Sequence, residues 1–130
     1  MRKIIIGLTC CVSLWFVEKI YAADLIFQDA NYFSGTTSAS ANVVTQVGTV
    51  NANHIYRIDN ALCVINKSLK LGVGTSSAMV VLVRNDGVLT QSSPRFPVFI
   101  SGLAGTVSLY VASGYASVYY IIPYADFTTQ

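Results

Sequence analysis

His54 is the only histidine in the 130 residues, so any zinc or proton-transfer chemistry that needs an imidazole must be built around it. A zinc site would need further ligands at short spacing, and here only scattered aspartates are on offer, so neither a metal nor another cofactor is expected. As a general base, His54 could work with partners distant in sequence, because catalytic triads assemble in space. No serine sits in a G-x-S-x-G elbow, however, and His54 heads the alternating run His54-Ile55-Tyr56-Arg57-Ile58, where it reads as a strand-end residue facing solvent.

The carboxylates beyond residue 22 are Asp24, Asp29, Asp59, Asp86 and Asp126. Cleavage of a glycosidic bond needs two carboxyl groups facing each other across a sugar. These aspartates lie mostly beside expected turns or ends, where aspartate is a structural choice, so no catalytic residue is assigned. Gly72-Val73-Gly74 lacks the third glycine and the following helix of a dinucleotide loop and reads as a turn. Asn66-Lys67-Ser68 matches the N-glycan acceptor pattern, which makes Asn66 a candidate glycosylation site on a surface segment.

The elements that must position these residues follow from composition and patterning. Arg2 and Lys3 precede an apolar run from Ile4 to Val17, and Glu18 and Lys19 lead into Ala22 and Ala23. Charge, apolar core and small residues in that order predict a cleaved secretion signal over residues 1–22, too short to span a bilayer. Residues 23–130 then form one secreted domain, extracellular, or periplasmic or at the cell surface in a bacterium. Cys10 and Cys11 leave with the signal, so Cys63 is the one thiol left. It cannot form an internal disulfide, and between Leu62 and Val64 it reads as a small buried hydrophobe, with an intermolecular disulfide as the alternative.

The net charge of +2 belongs to the precursor. After processing, Arg57, Lys67, Lys70, Arg84 and Arg95 balance the five aspartates, so no nucleic-acid footprint is expected, nor any integral membrane segment.

Valine, isoleucine, threonine, tyrosine and phenylalanine abound while glycine, serine and asparagine punctuate short apolar runs. That pattern predicts an all-β domain, an antiparallel β-sandwich or small barrel. Expected strands are 25–28, 42–50, 54–58, 61–65, 69–73, 79–84, 88–91, 98–100, 106–112 and 115–122, with 34–41 as a loop. Met79–Val83, apolar at every position, is expected at a sheet centre, turning through Asn85-Asp86-Gly87 into Val88–Gln91. Pro123 is expected to end the last strand or to put it at an edge, leaving 124–130 as a tail.

A two-residue turn at Ser113-Gly114 would pair Thr106–Ala112 with Tyr115–Ile122. In that register one face collects Val107, Leu109, Val111, Ala116, Val118, Tyr120 and Ile122 as core, and the other carries Tyr110, Tyr115 and Tyr119 between serines. Tyrosines stack on sugars or partner side chains, which makes these three the candidate binding residues. The expected function is a secreted, non-enzymatic binding or adhesion module, or a subunit of an extracellular assembly, meeting a protein or carbohydrate surface or its own copies. A small hydrolase using His54 and a membrane-active toxin inserting the Thr106–Ile122 hairpin are the alternatives.

Overall fold

The computed structural model describes residues 24–64, 66–86 and 97–129. The expected leader and the expected strand Val88–Gln91 lie outside the described residues. The extended, β-branched and aromatic segments form nine strands: β1 (Leu25–Thr36), β2 (Thr45–Val50), β3 (His54–Ile58), β4 (Leu62–Cys63), β5 (Leu69–Gly74), β6 (Met79–Asn85), β7 (Val98–Ser101), β8 (Val107–Ala112) and β9 (Tyr119–Thr129).

They make two antiparallel sheets packed face to face. One runs β1-β9-β3-β7, with β4 also on β9, and the other runs β2-β8-β5-β6. Strands pair as β1/β9, β2/β8, β3/β7 and β5/β6, which is the jelly-roll arrangement of a double-sheet sandwich. The fold is therefore the expected all-β sandwich.

Between the sheets lie Val50, Ile58, Leu69, Leu71, Val83, Leu109, Val111, Val118 and Ile122, all essentially buried. Each stabilises the fold by about 1.5–3 kcal/mol through lost water contact, which replaces the missing internal disulfide as the source of stability. Cys63 is part of this core, as a buried thiol that burial pushes above its ordinary pKa. The thiolate is thereby disfavoured and the sulfur kept unreactive.

The chain leaves the first sheet between β1 and β2 and returns to it between β8 and β9. These two connections run side by side. Thr37 N–H donates to Val118 O and Val118 N–H to Thr37 Oγ1, both at 2.9 Å. Ser117 N–H donates to Ser38 O at 2.8 Å and Asn42 N–H to Ser113 O at 2.7 Å. The β1/β9 and β2/β8 pairs are thus one antiparallel ribbon folded over at a corner.

That corner corrects the expected hairpin. β8 and β9 do not pair with each other, because the chain changes sheets between them. The Ser113 hydroxyl donates to Ser68 O, Tyr115 N–H donates to Ser113 Oγ, and Ser117 adopts a left-handed φ of 50°. These bonds anchor the connection to the β5 approach instead of closing a two-residue turn. Alternation still gave the burial of Leu109, Val111, Val118, Tyr120 and Ile122, although they face the core from opposite sheets. Ala116, expected beside them, is exposed.

Three further expectations are corrected. Among the described residues β6 is an edge strand, not a central one, with Val80 and Val81 exposed. Leu71 pairs with Val83 and Gly72 with Val81, so Leu82 is an extra residue that bulges the strand and resets which side chains point inward. Asn85 is not a loop residue: it ends β6, is buried, and its Nδ2 donates to Ala61 O at 2.7 Å, tying the two sheets together.

Pro123 does not end β9, which continues to Thr129 in the middle of its sheet. On one flank β4 pairs only Tyr120 and Ile121, and β3 only Ala125 to Thr128. Residues 122–124 between them have no strand partner there, and a missing N–H is tolerated at such a gap.

Candidate functional site

Cross-strand pairing decides which side chains share a face. Phe27 pairs with Phe127, Tyr32 with Pro123, Ala30 with Ala125, Arg57 with Ala125 and with Phe99. All stand on the face of the first sheet turned away from the core. Phe27, Tyr32 and Phe99 are 58%, 60% and 53% exposed, so this face carries a band of uncovered aromatic rings. Phe27 and Phe127 meet edge to face at 5.8 Å, and the Arg57 guanidinium lies 5.8 Å from the Phe127 ring centroid.

Within this face is a groove of about 430 Å³ where β3 stops and β4 has not begun. Ile121, Pro123 and Ala125 of β9 form its floor, with Tyr32, Arg57, Asp59 and Asn60 around it. Asn60 Oδ1 accepts the Ala61 N–H at 2.8 Å, which leaves the two Nδ2 donors and the oxygen's second lone pair for further hydrogen bonds. Arg57 Nε is buried without a hydrogen bond, and the Asp59 carboxylate lies 3.5 Å from it as an ion-pair contact.

β1 forms one edge of the same sheet. Every residue from Leu25 to Tyr32 is exposed, and Asp29 is the only charge on the strand. Twelve residues of edge backbone with exposed Leu25, Ile26, Phe27 and Tyr32 have no strand on their outer side among the described residues.

On the core-facing side, beyond the buried centre, His54 heads β3, and its Nδ1 lies 2.7 and 3.0 Å from the two Asp126 oxygens. The pair is partly buried, His54 keeping 30% of its side-chain exposure and Asp126 14%. His54 is held in place by backbone bonds: its N–H donates to Asn51 O at 3.1 Å, and its C=O accepts from Gly102 N–H at 2.7 Å. Behind it Phe33, Tyr124 and Tyr56 stack, with ring centroids 4.6 and 4.4 Å apart in turn. Burial above all, then the neighbouring Tyr124 and Asp126, push the Tyr56 hydroxyl up to about 12, and burial raises Tyr124 as well. A carboxylate on Nδ1 orients an imidazole as it does in a triad. Among the described residues no serine, threonine or cysteine side chain is hydrogen-bonded to that ring.

The candidate tyrosines are not gathered on one hairpin face. Tyr110 is on β8 in the second sheet, Tyr119 on β9 in the first, and Tyr115 in the connection between them, where Lys67 Nζ lies 4.6 Å from its ring centroid. Tyr115 and Tyr119 are exposed, and Tyr119 borders a shallow apolar hollow with Leu62, Val64 and Ile121. Asn66 is exposed in a turn with a left-handed φ of 64°. Sequence reasoning missed Asp126 as the partner of His54, 72 residues away, and missed the groove, whose lining comes from three separate segments. No protein-family model, curated protein or solved structure matches this chain.

Proposed function

We propose that this chain is an exported, non-enzymatic β domain that acts through contact, as a subunit of an extracellular assembly in which β1 accepts an extended strand from another copy. The observation that carries this reading is the edge of β1, twelve residues long with one charge and with no strand on its outer side among the described residues. Edge strands present a row of unpaired backbone donors and acceptors, and charges, prolines or covering loops are the usual guards against pairing with another chain. Among the described residues β1 carries none of these beyond Asp29, and a joining strand would pair its open backbone donors and acceptors.

Sedimentation of the purified, processed protein tests this. The expected result is concentration-dependent association that disappears in an Ile26→Lys, Phe27→Lys double variant whose melting temperature stays within a few degrees of the parent's. A parent that remains monomeric at every concentration refutes the reading.

A second reading rests on the His54–Asp126 contact, which is how a histidine general base is oriented in a hydrolase. Esterase and glycosidase assays of the parent and of His54→Ala test it, and equal rates would end it.

A further inference from the structure

We infer that the groove at the break between β3 and β4 is a binding site for a neutral pyranose ring, the sugar unit of a glycan. This goes beyond assembly through β1, since the groove opens on the outer face of the sheet and the paired edge lies along its side.

The rim argues for the ligand's charge. Among the described lining residues the charged ones are Arg57 and Asp59, 3.5 Å apart and opposite in sign, so this lining offers neither an anion nor a cation a net complementary charge. What the pair does offer is strong donors and a strong acceptor within one small space, joined by the Nδ2 donors of Asn60. A vicinal diol, in which each hydroxyl both donates and accepts, satisfies such a mixed set. A carboxylate, phosphate or ammonium satisfies half of it and is repelled by the other half.

The floor argues for the ligand's shape. Ile121, Pro123 and Ala125 give a flat apolar strip, and Tyr32 adds a largely exposed ring on the same face through its pairing with Pro123. A pyranose has an apolar C–H face that lies on such a strip while its equatorial hydroxyls point sideways to the rim. The volume of about 430 Å³ falls within the range of small-ligand sites, and the groove is open enough to hold one ring of a longer chain.

Arg57 ties the two together. Its Nε is buried and makes no hydrogen bond, an arrangement that costs stability unless a ligand supplies the acceptor directly or draws the guanidinium into better geometry with Asp59. The backbone break that creates the groove is the same one that admits Pro123 in mid-sheet, so its apolar floor is fixed by a rigid ring.

The test is a titration followed by ¹⁵N-resolved NMR, with the processed protein and the methyl pyranosides of glucose, galactose, mannose and N-acetylglucosamine as separate probes. Sodium glucuronate and sodium phosphate serve as charged comparisons. The inference expects saturable shifts with at least one neutral sugar, weak binding in the millimolar range, and little response to the charged probes. Tyr32→Ala, at a residue exposed enough for the fold to tolerate it, should weaken that binding at least tenfold, as should Asp59→Asn, which keeps the shape and removes the charge. Ile26→Lys with Phe27→Lys should leave sugar binding intact even where it abolishes association, which separates this site from the β1 edge. No saturable shift with any neutral sugar, tighter binding of glucuronate or phosphate, or sugar binding that survives both groove variants would each overturn it.

Discussion

Alkaline pH should destabilise this protein through Tyr56, and the size of the effect follows from its surroundings. The Tyr56 ring is buried against Tyr124, and its hydroxyl titrates near 12 in the folded chain, against about 10 for an unfolded tyrosine. Between those two values the unfolded chain has lost the proton and the folded chain still holds it, so folding takes up a proton and rising pH opposes it. The stability linked to Tyr56 is fully present below pH 10 and is lost as pH climbs to about 12. A shift of that size corresponds to a loss on the order of 2–3 kcal/mol, and Tyr120 and Tyr124, both raised by burial, add to it with the same sign. Urea unfolding followed by circular dichroism, on the parent and on Tyr56→Phe across this range, measures it. Tyr56→Phe keeps the stacked ring and removes the ionising group. It should start about 1 kcal/mol less stable at neutral pH, for the lost hydrogen bonding, and then lose less stability than the parent as the pH rises, by an amount on the order of 2–3 kcal/mol. Stability curves for the two proteins that fall in parallel would refute the argument.

Other consequences are open to simple measurement. Leu109→Ala, at a fully buried position between the sheets, should cost about 2–5 kcal/mol in chemical denaturation. Asn85→Ala should cost about 1–3 kcal/mol, because it leaves Ala61 O buried without its 2.7 Å donor, and Asn85→Asp should do no better since it replaces the donating amide with a carboxylate. Gly102→Ala would drive a methyl group into Asn51 O, backbone against backbone, and should lower the melting temperature sharply and loosen the turn that holds His54. A double-mutant cycle with His54→Ala and Asp126→Asn should return a coupling of at most about 1 kcal/mol that shrinks in high salt, as expected for a partly exposed pair.

Among the described residues most strands were legible in part, though not the long reach of β1 to Thr36 or of β9 to Thr129; which strands touch was not legible. Period-two alternation reports the environment of a side chain, and it put Leu109, Val111, Val118, Tyr120 and Ile122 inside whichever sheet they belong to. It carries no information about partners, so Ser113-Gly114 looked like a hairpin turn when the chain in fact crosses to the other sheet. The unbroken apolar run of Met79–Val83 misled for a related reason: a bulge at Leu82 lets an edge strand lose its alternation without being covered on both faces. Pro123 was read by its own missing N–H, and the relevant fact lay in two other strands that leave a gap beside it. Of the candidate site, His54 and its alternating run were visible. Asp126 and the groove depend on strand order, which local pattern does not encode.

The corner ribbon also dictates when this protein can finish folding. Leu25 pairs with Thr129 and Thr36 with Tyr119, so among the described strands the first meets the last as its neighbour. During synthesis the strands from β2 to β8 are all made before β9 is, so β1 is without its β9 pairing until then. Closing such long loops is slow, and the waiting strand is adhesive. Refolding yield should therefore fall steeply with protein concentration, and a holdase that shields the early segment during synthesis would serve this chain more than one that acts on its finished core.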